Sequence, residues 1–289
     1  MMVAQLSQLL SFLESIGSKP KKSLSQNFLI DANIVRKIAD LADIQPKDRV
    51  VEIGSGPGAL TAELLSRGAE VVAIEKDSVF ARELHRLQNG HLQVIEADIL
   101  EFDWSYLGKG PWKVLGNLPY HITTPILEKI CQEEVISFTF MAQKELAQRL
   151  MAKSGSKLCG SISIFVQAHA EIHGSFSVSK NCFYPAPSVD STVLTLAFHN
   201  QREPEEFFAF VRRAFQQRRK MLTSSLRTLF SLEQIQKALQ LAQIASNARP
   251  ETLSLEEWRL FFRAIRLLSK PALPEKIDDF LGLSICCCE

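Results

Sequence analysis

The stretch VEIGSGPGAL at residues 51–60 decides the fold that this sequence predicts. A run rich in β-branched residues, RVVEI at 49–53, leads directly into Gly54, Gly56 and Gly58, and a helical pattern follows. Glycine has no Cβ atom, so the backbone can turn tightly there and approach a ligand closely. This order predicts a doubly wound α/β sheet with a ligand crevice at the carboxyl ends of its strands.

Strand-like and helix-like stretches alternate from this motif to about residue 200. The further predicted strands are EVVAIE (70–75), LQVIE (92–96), WKVLG (112–116), SFTFMA (137–142), SISIFVQAHA (161–170) and STVLTLAF (191–198). Alternation of this kind is typical of a mostly parallel sheet covered by helices, here of about seven strands with an antiparallel edge.

Beyond residue 199 the signal changes to helices alone, which are predicted at 205–226, 232–242 and 255–268. Apolar residues recur there with the period of an amphipathic helix. We therefore predict a cofactor-binding catalytic domain at 1–200, with an extension at 1–30, and a small all-helical domain at 201–289.

Basic and acidic residues nearly balance over the 289 residues, and the net charge is +1. This excludes a uniformly basic nucleic-acid binder, so the charge has to be examined locally. Residues 212–227 contain six basic residues and no acidic one, and they form either a solvated face or an RNA-contacting surface. The candidate RNA contacts are Arg212, Arg213, Arg218, Arg219 and Lys220.

The sequence has no apolar run near the roughly 18 residues that span a bilayer, and its first residues lack a basic leader. We expect a cytoplasmic protein without a membrane partner, and nothing demands more than a monomer. The six cysteines show no C-x-x-C spacing, and Cys286, Cys287 and Cys288 form a terminal run. Reduced thiols and no metal are therefore expected.

Two acidic residues follow the next two predicted strands. Glu75 comes 21 positions after Gly54, and its carboxylate can accept both hydroxyls of a ribose. Asp98 follows the third strand, where a carboxylate can reach the exocyclic amine of an adenine. These residues predict a site for an adenosine-containing cofactor. Because GSGPGA also fits the dinucleotide pattern G-x-G-x-x-A, a nicotinamide oxidoreductase remains an alternative.

The motif Asn117-Leu118-Pro119-Tyr120 follows the fourth predicted strand. An exocyclic aromatic amine is a poor nucleophile because its lone pair is delocalised into the ring. The Asn117 side-chain oxygen and the Leu118 carbonyl can accept both N–H bonds and favour a tetrahedral nitrogen. Pro119 stiffens this loop, and Tyr120 offers a face for stacking on the base. The motif predicts an adenine amino group as the methyl acceptor.

These motifs together resemble the ribosomal RNA adenine dimethylase family. Further stretches of the family pattern occur in the family order: SQNFL at 25–29, FYPAPSVDSTV at 183–193 and FQQRRKML at 215–222. The resemblance spans nearly the whole chain and implies a Rossmann-like class I methyltransferase fold. Two positions depart from the pattern: Ser25, where relatives more often have glycine, and His121, where bacterial relatives often have asparagine.

The resemblance implies S-adenosylmethionine as the methyl donor. The implied cofactor-binding residues are Asn27, Leu29, Gly54, Gly56, Glu75, Asp98 and Asn117. It also implies that Phe183 stacks on a flipped adenine opposite Tyr120. The implied reaction is N6,N6-dimethylation of two adjacent adenines in a hairpin near the 3′ end of small-subunit ribosomal RNA. The small subunit would be the partner, the role would include its assembly, and the 215–222 stretch would contact RNA.

Two other functions share many of these features. A methylase that acts on large-subunit RNA and confers macrolide resistance has the same glycine turn and adenine motif, although the helical tail and the 183–191 stretch favour the small-subunit family. A non-catalytic assembly factor could keep the fold and bind ribosomal particles, but the intact glycines, Glu75, Asn117 and Tyr120 argue against a loss of catalysis.

Overall fold

A computed structural model of the protein describes residues 3–269. The strands are β1 (Phe28–Leu29), β2 (Arg49–Ile53), β3 (Glu70–Glu75), β4 (Leu92–Glu96), β5 (Trp112–Gly116), β6 (Val135–Gln143), β7 (Ala170–Val178), β8 (Phe183–Tyr184) and β9 (Ser191–Phe198). The helices are α1 (Leu6–Ser15), α2 (Ala32–Leu41), α3 (Ala59–Ser66), α4 (Ser78–Leu84), α5 (Thr123–Ile130), α6 (Lys144–Leu150), α7 (Ser161–His169), α8 (Glu205–Phe215), α9 (Leu222–Ser225), α10 (Leu232–Leu241) and α11 (Leu255–Leu268).

Seven strands form one sheet in the order β4-β3-β2-β5-β6-β9-β7. The five strands from β4 to β6 run parallel, and β9 pairs with β6 in the antiparallel direction. Val50, Val51 and Val114 are fully buried in the middle of the sheet, as expected where helices cover both faces. The predicted seven-stranded, mostly parallel sheet is confirmed. β1 and β8 form a separate two-stranded antiparallel sheet.

The described chain divides into two compact units, one formed by residues 3–147 with 171–199 and the other by 148–170 with 200–269. The second unit is helical. Residues 148–170 thus belong with the helical part, whereas the sequence assigned them to the sheet domain. The reason is aromatic packing, since the rings of Phe165 and His169 lie 5.1 and 4.9 Å from that of Phe208.

The predicted strand at 161–170 is wrong, because these residues form helix α7. The Ser163 hydroxyl accepts a hydrogen bond from the Gly160 N–H at 2.9 Å and donates one to the Arg149 carbonyl, which fixes the first turn of the helix. A short apolar run does not distinguish a buried helix from a buried strand by its period alone. The seventh strand is instead β7, which directly follows α7.

The predicted helix at 205–226 is also interrupted. Helix α8 ends at Phe215 and the short α9 begins at Leu222. Residues 216–220 are five exposed polar side chains that offer no apolar face for packing, so tertiary contacts give no reason to continue the helix. The FQQRRKML stretch is therefore mainly a turn, not a helix.

Helix α1 lies in the segment that the sequence analysis treated only as an N-terminal extension. Its Leu9 and Leu13 are buried and pack in a cluster that includes Phe28 and Phe80. Within residues 3–269 no helix is long and apolar enough to cross a membrane, and no cluster of three or more His, Cys, Asp or Glu side chains could hold a metal ion. Cys286, Cys287 and Cys288 lie outside the described residues.

Candidate active site

A pocket lies at the carboxyl ends of β2, β3, β4 and β5, where the strand order reverses between β2 and β5. This is the position at which doubly wound sheets bind their ligands. Residues 23–28 line the pocket as well. Nine of the predicted site residues line it: Asn27, Gly54, Gly56, Glu75, Asp98, Asn117, Leu118, Pro119 and Tyr120.

The glycine-rich turn that follows β2 forms part of this pocket. Gly54 and Gly56 have φ angles of +72° and +50°, in the left-handed region that favours glycine. A Cβ atom on Gly56 would lie 3.1 Å from the Phe28 ring, so a larger residue there would also require this ring to shift by a few tenths of an ångström. The backbone of the glycine-rich turn thus passes close to the Phe28 ring, and both line the pocket.

Glu75 is held in place by the backbone of the two loops beside it. Its two carboxylate oxygens accept hydrogen bonds from the N–H groups of Gly56 and Asp77, both at 2.7 Å. The side chain is only 6% exposed, and burial raises the pKa of its carboxyl while the two backbone N–H groups oppose that rise. Each oxygen keeps a further lone pair, so a fixed carboxylate of this kind can accept the two hydroxyls of a ribose.

Asp98, which lines the pocket after β4, forms an ion pair with Lys76. The Lys76 Nζ lies 2.6 Å from one carboxylate oxygen, and the Leu100 N–H donates to the other at 3.0 Å. Burial alone would raise the pKa of Asp98, but Lys76 and this N–H together lower it. Asp98 is therefore an ionised acceptor at neutral pH. Lys76, which the sequence analysis did not single out, directly follows Glu75.

Asn117 is oriented by a hydrogen bond to the backbone of Asn27. Its side-chain NH₂ group donates to the Asn27 carbonyl at 2.9 Å, which leaves the amide oxygen as an acceptor. The Leu118 carbonyl accepts no hydrogen bond within residues 3–269. The Pro119 carbonyl accepts from the Ile122 N–H at 3.1 Å and closes the turn that follows. The loop thus carries two adjacent acceptor oxygens on a fixed backbone.

Tyr120 is anchored through its hydroxyl group. This group lies 2.6 Å from the hydroxyl of Ser191, a fully buried residue at the start of β9. Burial raises the pKa of Tyr120, so the phenol is neutral at neutral pH. Ser191 belongs to the 183–193 stretch, but the sequence analysis gave it no role. The contact fixes one end of an aromatic ring that lines the pocket.

Two predicted site residues do not line this pocket. Leu29 and Phe183 are 5% and 3% exposed and pack in the same hydrophobic cluster. They are paired with each other in the small sheet formed by β1 and β8. The stacking of Phe183 on a target base therefore stays a prediction.

The five candidate RNA contacts differ in their surroundings. Arg212 pairs with Glu205, and Arg213 donates to Gln216 and Thr228. The remaining three candidates, Arg218, Arg219 and Lys220, are exposed, and the Arg218 guanidinium donates to the carbonyls of residues 157 and 159 at 2.8 and 2.7 Å. Within the described part of the chain, the side chains of Arg219 and Lys220 form no hydrogen bond or ion pair, and the Lys220 backbone N–H donates to the Gln217 carbonyl at 2.8 Å.

Asp77 has a structural role that the sequence analysis missed. This buried carboxylate caps α4 through the Val79 N–H at 3.1 Å. It also accepts from the Lys21 ammonium and the Gln26 amide, each at 2.9 Å. Burial alone would raise the pKa of Asp77, but these partners lower it. An acidic residue just before a helical pattern signals the cap, whereas no sequence pattern signals its pairing with residues more than 50 positions away.

A family model described as ribosomal RNA adenine dimethylase matches residues 17–266. The chain belongs to the ribosomal RNA adenine dimethylase family. Members of this family named Ribosomal RNA small subunit methyltransferase A are similar to it over most of their length. The Chlamydia muridarum protein is 42% identical over 275 residues, which cover 91% of this chain and 98% of that relative. The Protochlamydia amoebophila protein is 45% identical over 268 residues, which cover 87% and 93%.

Solved structures agree with the fold of this adenine dimethylase. The 23S rRNA methyltransferase ErmE is 25% identical with a TM-score of 0.64, and the match covers 83% of this chain and 100% of that one. A dimethyladenosine transferase from Plasmodium falciparum has a TM-score of 0.70 at 22% identity and covers 83% and 98%. The predicted class I methyltransferase fold is confirmed, and the family and fold support the use of S-adenosylmethionine.

Proposed function

We propose that this protein transfers two methyl groups from S-adenosylmethionine to N6 of each of two adjacent adenines in a hairpin near the 3′ end of small-subunit ribosomal RNA. The observation that carries the chemistry is the hydrogen bond from the Asn117 NH₂ group to the Asn27 carbonyl. It orients the amide so that its oxygen serves the incoming amine. The substrate is proposed because relatives at 42% and 45% identity are small-subunit RNA methyltransferases.

The pocket residues fit the methyl donor. Glu75 supplies an immobilised carboxylate for ribose hydroxyls, and Asp98 supplies an acceptor for an adenine amine. A Cβ atom on Gly56 would lie in tight contact with the Phe28 ring, so the backbone approaches the pocket most closely when residue 56 is glycine. S-adenosylmethionine, when bound there, supplies an electrophilic methyl group on a sulfonium that leaves as a neutral thioether.

The loop of residues 117–121, termed here the acceptor loop, activates the target amine. The Asn117 amide oxygen and the Leu118 carbonyl accept its two N–H bonds, which draws the nitrogen toward a tetrahedral geometry and concentrates its lone pair. Both acceptors exist before the substrate arrives, so little reorganisation is needed during the reaction. The amine loses a proton only after the new C–N bond has formed, so no general base has to act first.

Tyr120 positions the base beside these acceptors. Its ring can stack on a flipped adenine, a contribution of roughly 1–3 kcal/mol, while Ser191 fixes its hydroxyl end. Phe183 would form the opposite face of this clamp only if its buried side chain turned outward from the cluster that holds it. Exposed Arg219 and Lys220 supply phosphate contacts, which add affinity without reading sequence.

The experiment is a labelled-methyl assay on purified subunits. Small subunits that lack adenine dimethylation, and large subunits in parallel, are incubated with the protein and radiolabelled S-adenosylmethionine, and the digested RNA is analysed for labelled nucleosides. We expect N6,N6-dimethyladenosine from the small-subunit RNA alone. Asn117→Ala should abolish the label, because it removes the acceptor oxygen.

The matched control is Asn89→Ala, which removes the same side chain from an exposed turn after α4. It should retain labelling. Label in the large-subunit RNA would favour the macrolide-resistance type of methylase. Binding of both subunit and cofactor without any label would overturn the enzymatic function and favour an assembly factor.

A further inference from the structure

The segment formed by residues 21–28, termed here the wall segment, forms polar contacts with the rest of the pocket on two sides, and its last residue, Phe28, pairs with Tyr184. On one side Lys21 and Gln26 bind the buried carboxylate of Asp77, each at 2.9 Å. On the other side the Asn27 carbonyl and the Ser25 hydroxyl meet the acceptor loop at Asn117 and at residue 121. The wall segment thus connects the cofactor-binding residues to the methyl-acceptor residues.

The outermost of these attachments joins the two positions that depart from the family pattern. The Ser25 Oγ lies 3.3 Å from the His121 Nδ1, although the residues are 96 positions apart in sequence. Both residues line the pocket. Ser25 has a φ of +49° and a ψ of +37°, a left-handed conformation that costs a non-glycine residue roughly 1 kcal/mol. In this conformation the Ser25 hydroxyl reaches the His121 ring.

The attachments differ in strength. The Asp77 side involves a charged ammonium and a buried carboxylate, and such charge-assisted hydrogen bonds are about twice as strong as neutral ones. The Ser25–His121 contact is longer, exposed and uncharged in the neutral state of the ring. If residues 21–27 move, the contact with His121 breaks first, while the Asp77 side and the pairing of Phe28 with Tyr184 act as the fixed ends.

We propose that Ser25 and His121 form a latch that holds the wall segment against the acceptor loop and thereby slows the release of the nucleoside cofactor. Ser25 and His121 are positioning residues, not catalytic ones. This inference rests on the proposed function, because S-adenosylmethionine and its product S-adenosylhomocysteine are the ligands that the latch would retain. Each target base requires two methyl groups, so the latch has to open between transfers.

The test measures S-adenosylhomocysteine binding to the full-length protein by stopped-flow fluorescence and calorimetry. We expect Ser25→Ala, Ser25→Gly and His121→Phe each to raise the dissociation rate constant about threefold or more, as loss of one neutral hydrogen bond allows. The association rate should change less. Ser25→Gly relieves the strained backbone and Ser25→Ala does not, so equal effects of the two assign the role to the hydroxyl.

A double-mutant cycle supplies the second readout. Ser25→Ala combined with His121→Phe should be no worse than either single variant, because both remove the same contact. His121→Asn should keep the wild-type rate, since its amide places a polar atom near the position of the histidine Nδ1. Ser23→Ala, in the same segment without a hydrogen bond to His121 among the described residues, should combine additively with His121→Phe.

The outcomes separate the latch from the function on which it rests. Unchanged dissociation in Ser25→Ala, or additive effects in the Ser25 and His121 pair, would overturn the latch alone. A faster rate in Ser25→Gly but not in Ser25→Ala would overturn it too, because backbone flexibility would then explain the effect. No binding of S-adenosylhomocysteine by the wild-type protein would overturn the proposed cofactor and the latch with it.

Discussion

Glu52, the acidic residue of the VEIGSGPG motif, is 2% exposed and lies under the glycine-rich turn. The Thr61 hydroxyl donates to its carboxylate at 2.6 Å. Burial raises the pKa of Glu52 to about 7, a rise that the Thr61 hydrogen bond opposes and the charge of Glu75 increases. The folded protein therefore holds this proton up to about pH 7, whereas the unfolded chain releases it near pH 4.5.

This difference makes stability depend on pH. Between pH 4.5 and 7 the folded state binds more protons than the unfolded state, so stability falls as the pH rises through that window and changes little above it. Glu52→Gln should abolish this fall, so its stability advantage over the wild type should grow by roughly 2–3 kcal/mol between pH 5 and 8. Urea unfolding at several pH values measures the difference, with the exposed Glu70→Gln as a control. Parallel pH profiles for wild type and Glu52→Gln would refute the expectation.

The Tyr120–Ser191 hydrogen bond should affect catalysis through the position of the ring. Tyr120→Phe and Ser191→Ala each remove this bond and should lower kcat/KM on small subunits about threefold to tenfold. The double variant should lose no more than either single one, whereas Tyr120→Ala should lose more because stacking disappears. Single-turnover methyl transfer measures all four variants. Additive losses in the double variant would show that the two hydroxyls act separately.

At the scale of elements, the glycine turn and the wall segment constrain each other. Gly56 and Gly17 both have positive φ values, but a Cβ atom on Gly17 has no neighbour within 4 Å, whereas one on Gly56 lies 3.1 Å from the Phe28 ring. Alanine at either position carries a similar backbone strain of roughly 1 kcal/mol. Only Gly56→Ala also requires the Phe28 ring of the wall segment to shift by a few tenths of an ångström.

We therefore expect Gly56→Ala to weaken S-adenosylhomocysteine binding at least tenfold, while Gly17→Ala leaves the dissociation constant within twofold of the wild type. Calorimetric titration measures the affinities for S-adenosylhomocysteine. Thermal unfolding measures the loss of stability from backbone strain that the two variants share. Equal affinities for the two variants would mean that the Phe28 ring moves aside freely, and would contradict a rigid contact between turn and wall.

The elements that the sequence predicted well are those with one unambiguous signal. β9 and α11 have the predicted bounds, because strict apolar patterns and a Ser254 cap define their ends. The run at 161–170 forms a helix although its sequence predicts a strand, because its period is ambiguous and its first turn is fixed by the distant carbonyl of Arg149. A hydrogen bond formed only in the folded chain leaves no mark in the local pattern.

At the scale of the whole molecule, the pocket also combines residues that the sequence could assign with contacts that it could not. Gly54, Glu75, Asp98 and Asn117 could be assigned to one crevice, because the carboxyl ends of neighbouring parallel strands meet at one edge. The attachments of the wall segment to Asp77 and His121 could not, because they join stretches that are between 51 and 96 positions apart. Such contacts follow from the folded topology and not from spacing.

Among the basic residues of the helical unit, one stabilises the fold and two are candidate RNA contacts. The Arg218 guanidinium donates to two backbone carbonyls, so it is already used for folding. Arg219 and Lys220 are exposed and, within residues 3–269, their side chains form no hydrogen bond or ion pair, so their charges are available to phosphates. One stretch of sequence thus combines a structural arginine with two candidate RNA contacts, a distinction that charge counting alone does not make.

If the protein binds the small subunit as proposed, mutating the candidate RNA contacts and mutating the structural arginine should have different effects. Arg219→Ala with Lys220→Ala should weaken subunit binding and reduce the slope of log affinity against log salt by about 1 to 2, because up to two phosphate contacts and their counterions are lost. The melting temperature should stay unchanged. Arg218→Ala should instead destabilise the helical unit by roughly 1–3 kcal/mol. Filter binding at several salt concentrations and thermal unfolding test both, and an unchanged salt slope in the double variant would place the RNA on another face.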